Sequence, residues 1–170
     1  MSTAINAARD RAHADQDPNF RSEYVQSLHL IERLHRLLLD VIKDEFDRTG
    51  SSDLNAVQAL LLYNMGDNEL TAGELKSRGF YMGSNVSYNL KKRVEMGYVD
   101  YERSETDKRS VRVSLSAKGR QAAEVVTKLY QRQLGSVEAV AQVTGDELKG
   151  LNKALGRLER FWTDQIRYRL

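Results

Sequence analysis

The stretch that decides the fold runs Ser84-Asn85-Val86-Ser87-Tyr88-Asn89-Leu90-Lys91-Lys92-Arg93-Val94-Glu95-Met96-Gly97 and continues Tyr98-Val99-Asp100-Tyr101-Glu102-Arg103-Ser104-Glu105-Thr106-Asp107-Lys108-Arg109-Ser110-Val111-Arg112-Val113-Ser114-Leu115. At about 100° per residue, Val86, Leu90 and Val94 share one narrow helical stripe and must face a core. The opposite side carries Ser84, Asn85, Tyr88, Lys91, Lys92 and Glu95. Ser, Asn and Tyr can bond base edges or phosphate oxygens, and the two lysines can neutralise phosphates. Arg93 falls nearer the apolar stripe and is not expected to read bases. Taken alone, the same pattern also fits an ordinary solvated helix face.

The residues after Gly97 tip the balance. Tyr98 to Arg103 is rich in aromatic and β-branched residues, and Val111, Val113 and Leu115 alternate with Arg112 and Ser114, as in a strand with one buried face. The connection, Glu105-Thr106-Asp107-Lys108-Arg109-Ser110, has no apolar residue to bury. Asp107 stands two residues before Arg109 and can brace it, leaving the guanidinium aimed outward. An arginine on such a tip suits a narrow, electronegative minor groove. The competing reading is a solvated turn with a weak ion pair. Helix plus charged hairpin is what a winged-helix DNA reader needs, one for a major groove and the other for the neighbouring groove or its phosphates.

Charge distribution agrees. Residues 71–120 hold 11 Lys+Arg against 6 Asp+Glu, whereas the rest of the 170-residue chain holds 15 against 18. A cationic segment on a mildly acidic body is the footprint of a nucleic-acid-binding face. The chain has no cysteine, which removes disulfides, thiol redox sensing, zinc fingers and iron–sulfur clusters. No run approaches a membrane span, and the polar, Ala-rich N-terminus lacks the apolar segment of a secretory signal. A cytoplasmic, nucleoid-associated protein is expected.

Around this centre, apolar residues at helical spacing (Tyr24, Leu28, Ile31, Leu34, Leu38, Ile42, Phe46) predict a long helix over 20–47, ended by Gly50. Ser51-Ser52-Asp53 supplies N-cap candidates for a helix over 54–64. Thr71-Ala72-Gly73-Glu74 is a capping box opening a short third helix over 72–78, and the turn 79–83 joins it to the 84–96 helix, giving a helix-turn-helix. Ser116 can cap a fifth helix over 117–140, with Ala122, Val125, Val126, Leu129, Leu134 and Val137 as its apolar set. Thr144 to Glu147 is a second capping box, before a last helix over 146–166. There Leu148, Leu151, Leu155, Leu158 and Trp162 form an a/d seam that needs a partner.

The expected fold is mostly α with a small β wing, a winged helix-turn-helix whose N- and C-terminal helices form a dimer. Residues 1–19 read as a disordered leader, 20–52 as a dimerisation helix, 53–116 as the DNA-binding lobe and 117–170 as C-terminal dimerisation helices. Leu28, Ile31, Leu151, Leu155, Leu158 and Trp162 are the expected dimer contacts. Two lobes held roughly 34–36 Å apart can read a palindrome. Intrachain packing in a monomer is the alternative.

In the order and spacing of these motifs the chain resembles the MarR family of winged-helix transcriptional regulators over about residues 25–165. The resemblance rests on Leu70 to Leu75, Ser84 to Leu90, Met96 to Val99, the wing Arg103 to Ser110 and the run Val113 to Gly119. It implies a homodimer on a palindromic operator, usually a repressor released by a small, often aromatic, anion. Carried across, Ser84, Asn85, Ser87, Tyr88, Lys91 and Lys92 match recognition-helix positions, and Arg103, Asp107, Lys108 and Arg109 belong to the wing. Gly83 to Asn89 is more polar than the Thr/Val-rich helix start associated with the family, so the bases read can differ. Within the family the chain is most similar to the alphaproteobacterial LdtR type, linked to cell-envelope remodelling.

An effector would act from a crevice between the dimer helices and the DNA lobe, where Tyr24, His35, Arg36, Leu38 and Tyr63 are candidates. No cofactor or metal is expected: His29 and His35 lie roughly 240° apart on a helix and cannot close on one ion within one chain. No P-loop, dinucleotide fingerprint or nucleophile elbow is present, so the chain does not read as an enzyme. Two further classes stay open, a non-specific nucleoid-type DNA-binding protein and a helical protein-interaction module without DNA binding.

Overall fold

A computed structural model describes residues 17–50, 53–71, 74, 96–103 and 111–168. The chain divides into two compact units, one up to Leu62 and the other from Tyr63 onward.

The first unit is dominated by α1 (Pro18–Thr49). Asp17 caps it by accepting from the Asn19 N–H at 2.9 Å, and Pro18 occupies the first turn, where a missing N–H costs nothing. The helix therefore starts two residues before the expected position, because an Asp-Pro pair that reads as the end of a leader is also a start signal. Gly50 stops it at φ 74°, a left-handed conformation that favours glycine, with its N–H directed to the carbonyls of Asp47 and Phe46.

Two apolar stripes run along α1, about 110° apart by helical geometry. The first contains Tyr24, Leu28, Ile31 and Leu38, all half-buried, and ends in Ile42 and Phe46, both buried. Glu45 lies buried beside them, and Arg48 donates to both its carboxylate oxygens, at 2.8 and 3.3 Å. The second stripe is Leu30, Leu34, Leu37 and Val41, all exposed. Sequence periodicity had assigned Leu34 to the first stripe. The structure moves it to the second, because spacings of three and four are compatible with either.

The next helix, α2 (Ala56–Met65), has buried residues at Ala59, Leu61, Leu62 and Met65. Its cap is Asn55. The Asn55 side chain accepts from the Gln58 N–H at 2.9 Å, while the Gln58 carboxamide oxygen accepts from the Asn55 N–H at 3.2 Å. This reciprocal box displaces the expected Ser51-Ser52-Asp53 cap and starts the helix two residues later than predicted.

In the second unit three strands form an antiparallel sheet among the described residues. They are β1 (Leu70–Thr71), β2 (Val99–Arg103) and β3 (Val111–Leu115), in the order β1-β3-β2. The register pairs Val99 with Leu115 and Arg103 with Val111, and Leu70 with Val113 on the other edge. Leu70, Val99, Val113 and Leu115 are buried, whereas Asp100, Glu102 and Arg112 are exposed, so the sheet has one buried face. The strand β1 was not anticipated, since two residues at the edge of a capping motif carry no period. Thr71 serves both structures. It pairs with Arg112, and its N–H and hydroxyl donate to Glu74 at 2.7 and 2.8 Å, with the Glu74 N–H returning to the hydroxyl at 3.2 Å. The capping box is formed, but the rest of the third helix and the recognition helix lie outside the described residues.

Ser116 caps α3 (Ala117–Ala141), accepting from the Gly119 N–H at 3.0 Å. Ala122, Val126 and Leu129 are buried, but Leu134 and Val140 are 72% and 81% exposed. The apolar stripe thus outruns what the chain covers. The second predicted capping box also forms. Thr144 donates to Glu147 through its N–H at 2.8 Å and its hydroxyl at 2.7 Å, opening α4 (Gly145–Tyr168). No residue of α4 is buried. Leu155 and Leu158 are half-buried, whereas Leu148, Leu151, Phe161, Trp162 and Ile166 are exposed. Among the described residues no helix is long and apolar enough to cross a membrane.

Candidate nucleic-acid interface

The hairpin of β2 and β3 is fastened at its base to the first turn of α3. Gly97, at φ 74°, turns the chain into β2. The Ser116 N–H donates to the Tyr98 carbonyl at 3.2 Å and its hydroxyl donates to the Gly97 carbonyl at 2.7 Å. Lys118 donates to the Met96 carbonyl at 3.3 Å and sits 4.1 Å above the centre of the Tyr98 ring. A cation over an aromatic face adds attraction to this hydrogen bond. The direction of the hairpin is therefore set by backbone contacts with a helix rather than by the hairpin alone.

Arg103 faces Val111 at the last described rung, and residues 104–110 lie between them in the sequence. Asp107, Lys108 and Arg109 belong to this connection and lie outside the described residues, as do Ser84, Asn85, Ser87, Tyr88, Lys91 and Lys92. Of the predicted DNA contacts, Arg103 alone has its backbone placed, at the end of β2.

The body of the hairpin is not itself cationic. Its exposed face presents Asp100, Glu102 and Arg112, and Arg112 is paired with Glu69 at 3.1 Å. This pair is well exposed on both sides and is worth at most about 1 kcal/mol. Lys118 is engaged with Met96 and Tyr98, and Arg120 donates to the Leu115 carbonyl at 2.7 Å. Arg112, Lys118 and Arg120 thus all have intramolecular partners. Eight of the 11 basic residues in 71–120 remain, at positions 76, 78, 91–93, 103, 108 and 109. In the sequence they fall at 76 and 78, in the 84–96 stretch and in or beside the hairpin connection. Sequence reading missed the structural work of Lys118 and Arg120. Their signal was their place two and four residues after the Ser116 cap.

Beside the base of the hairpin, at Leu115, a cleft of about 480 Å³ opens against the end of α2, the turn after it and the first turns of α3. Tyr63, Asn64, Asp67, Arg120, Glu124 and Thr127 line it. The Tyr63 ring stands edge-on to Tyr130, with centres 5.1 Å apart, and burial raises the Tyr130 phenol above its ordinary pKa. Of the predicted effector residues, Tyr63 lines this cleft. Tyr24, His35, Arg36 and Leu38 lie along α1, where Tyr24 stacks on Phe20, with ring centres 6.5 Å apart, and Arg36 pairs with Glu32 at 3.4 Å. Among the described residues no group of three or more His, Asp or Glu side chains could hold a metal ion.

Known proteins bear directly on this arrangement. The chain is 36% identical over 147 residues, 85% of its length, to the exopolysaccharide II synthesis transcriptional activator ExpG of Rhizobium meliloti (strain 1021), and spans 74% of that protein. A sequence profile of the MarR family matches residues 52–110. The chain belongs to the MarR family. Solved structures of family members share the winged-helix fold. A mutant MarR from E. coli, complexed with operator DNA, superposes with a TM-score of 0.64 at 22% identity, covering 84% of this chain and 99% of that one. Staphylococcus aureus MarR, in complex with salicylate and kanamycin, gives 0.67 at 19% identity, covering 87% and 95%. In this MarR-family chain, β2 and β3 are the strands of the wing.

Proposed function

We propose that this chain is a transcriptional regulator that binds a palindromic operator in double-stranded DNA as a homodimer. The observation that carries the reading is the fastened hairpin, whose strands flank the sequence stretch 104–110 that contains Asp107, Lys108 and Arg109. Each subunit lays its 84–96 helix in a major groove, using Ser84, Asn85, Ser87, Tyr88, Lys91 and Lys92, while Arg103, Lys108 and Arg109 act from the wing. Family membership supports this, as does the operator complex of the E. coli relative.

The dimer is built by the terminal helices. Leu30, Leu34, Leu37 and Val41 on α1, and Leu148, Leu151, Phe161, Trp162 and Ile166 on α4, each expose apolar side chains that water disfavours. Leu28, Ile31, Leu151, Leu155, Leu158 and Trp162 contribute to that interface. The proposed organisation is a leader over 1–19, a dimerisation helix over 20–52, a DNA-binding lobe over 53–116 and C-terminal dimerisation helices over 117–170. The protein acts in the cytoplasm, on the nucleoid, and a small molecule modulates it, in keeping with the salicylate complex of the S. aureus relative.

Operator mapping followed by titration at physiological salt tests the proposal. Specific binding should exceed binding to scrambled duplex by roughly 10³-fold or more. Equal affinity with a steep salt slope would instead identify a general DNA-coating protein. No binding to any duplex would leave a protein-interaction module.

A further inference from the structure

Three consecutive main-chain carbonyls, those of Met96, Gly97 and Tyr98, accept from the start of α3. Their donors are the Lys118 ammonium at 3.3 Å, the Ser116 hydroxyl at 2.7 Å and the Ser116 N–H at 3.2 Å. Any residue except proline could supply the last. The first two are side chains that reach back 22 and 19 positions. Met96 ends the 84–96 stretch, and Tyr98 immediately precedes β2. One turn of α3 therefore holds the chain on both sides of the Gly97 bend. Lys118 is exposed, but its ammonium lies 4.1 Å from the ring centre of Tyr98, which is buried. Carbonyl and ring together fix a side chain that would otherwise keep much rotamer freedom. The helix it springs from is anchored in turn by the buried Ala122, Val126 and Leu129.

We infer that Lys118 is a positioning residue for DNA recognition, in a role that rests on the reading of 84–96 as the DNA-reading helix. Without touching DNA, it fixes the angle between that stretch and the wing through the Met96 carbonyl and the Tyr98 ring. It thereby sets how sharply the protein tells its operator from other duplex. Base-edge bonds need a site held to within about 0.5 Å, whereas phosphate contacts carry no sequence information directly. Loosening the bend therefore costs operator binding more than general binding to DNA. A lysine that met a phosphate would behave differently. It would support all duplexes alike and add about one to the salt slope.

Titration of the full-length protein with a duplex of the mapped operator, and with a scrambled duplex of the same length and composition, tests this role. Both are run over a salt series, well below the melting midpoint of each variant. Lys118→Met keeps the stem and removes the charge. It should weaken operator binding about tenfold, leave the scrambled duplex within about twofold and keep the wild-type salt slope. Lys118→Gln, which stays polar, should give the same pattern. Lys118→Arg can still donate to Met96 and stack on Tyr98, and should stay within about threefold of wild type on both duplexes. Equal losses on both duplexes, with a slope lower by about one, would make Lys118 a phosphate contact and overturn the positioning role. Unchanged operator binding in Lys118→Met, or a Lys118→Arg protein as weak as Lys118→Met, would overturn it too. The wild type serves as the control that separates the two readings. Its preference for operator beside any of these results counts against Lys118 alone, whereas a wild type without preference counts against the regulator.

Discussion

Gly119 lies directly against the main chain of Tyr98. A Cβ at position 119 would collide with the Tyr98 carbonyl oxygen and crowd the Leu115 side chain. The obstacle is backbone already committed to the Ser116 N–H, so it cannot swing aside. Helix α3 and the start of β2 touch because this residue has no side chain.

Gly119→Ala should therefore destabilise the winged lobe by about 1–3 kcal/mol, the usual cost of overpacking. Urea unfolding followed by circular dichroism would show the midpoint falling. An unchanged midpoint would mean that α3 and β2 are farther apart than described.

Asn55→Ala should cost about 1 kcal/mol, because the Gln58 N–H loses its side-chain acceptor at the start of α2 and keeps only the Asn55 carbonyl. Asn55→Asp keeps an acceptor there and should recover most of the loss. Thermal melts of the two variants make the comparison, and similar losses in both would point to a cause other than the cap.

Arg109→Ala should weaken operator binding by about 1–3 kcal/mol if the guanidinium reads the minor groove or a base edge. Lys92→Ala should weaken all duplexes alike and lower the slope of log affinity against log salt by about one. Gel-shift titrations over a salt series distinguish them. A change in base preference with Lys92→Ala would make that lysine a base reader.

Leu34→Glu and Leu151→Glu each place a charge on an exposed apolar stripe, on α1 and α4. In a lone subunit both would be tolerated. At a dimer interface each should weaken association at least tenfold, about 1.4 kcal/mol or more. Sedimentation velocity gives the answer, and an undisturbed dimer would place the interface elsewhere.

The Thr144 N–H and hydroxyl hold the Glu147 carboxyl below its ordinary pKa of 4.5. A group with a depressed folded pKa contributes stability above its unfolded pKa and loses it as pH falls through the folded value. The start of α4 should therefore weaken on acidification below about pH 4.5. Glu147→Gln should remove that part of the acid dependence. Melts of both proteins across the acid range would test this, and parallel curves would show that Glu147 does not contribute.

Much of this fold is legible along the chain. Caps at Ser116, Thr71 and Thr144, the stop at Gly50 and the alternation of β3 all depend on residues within four positions of one another. Asn55 escaped notice because three equally good cap candidates stand two to four residues before it. Leu34 was misassigned because two stripes about 110° apart share spacings of three and four. The recognition-helix and wing-tip contacts remain proposals drawn from sequence and family.

Among the described residues, local spacing determined which segments are helical, the caps of α3 and α4, and which hairpin face is apolar, since capping and periodicity act over one turn or one strand. Tertiary structure decided what lies far apart in the chain. It placed Leu70 beside Val113, joined Glu69 to Arg112 across 43 positions, laid Lys118 on Tyr98 and left Leu148 and Leu151 of α4 exposed. Such contacts depend on closing long loops and on which surfaces meet, and no pattern along a single helix or strand encodes them.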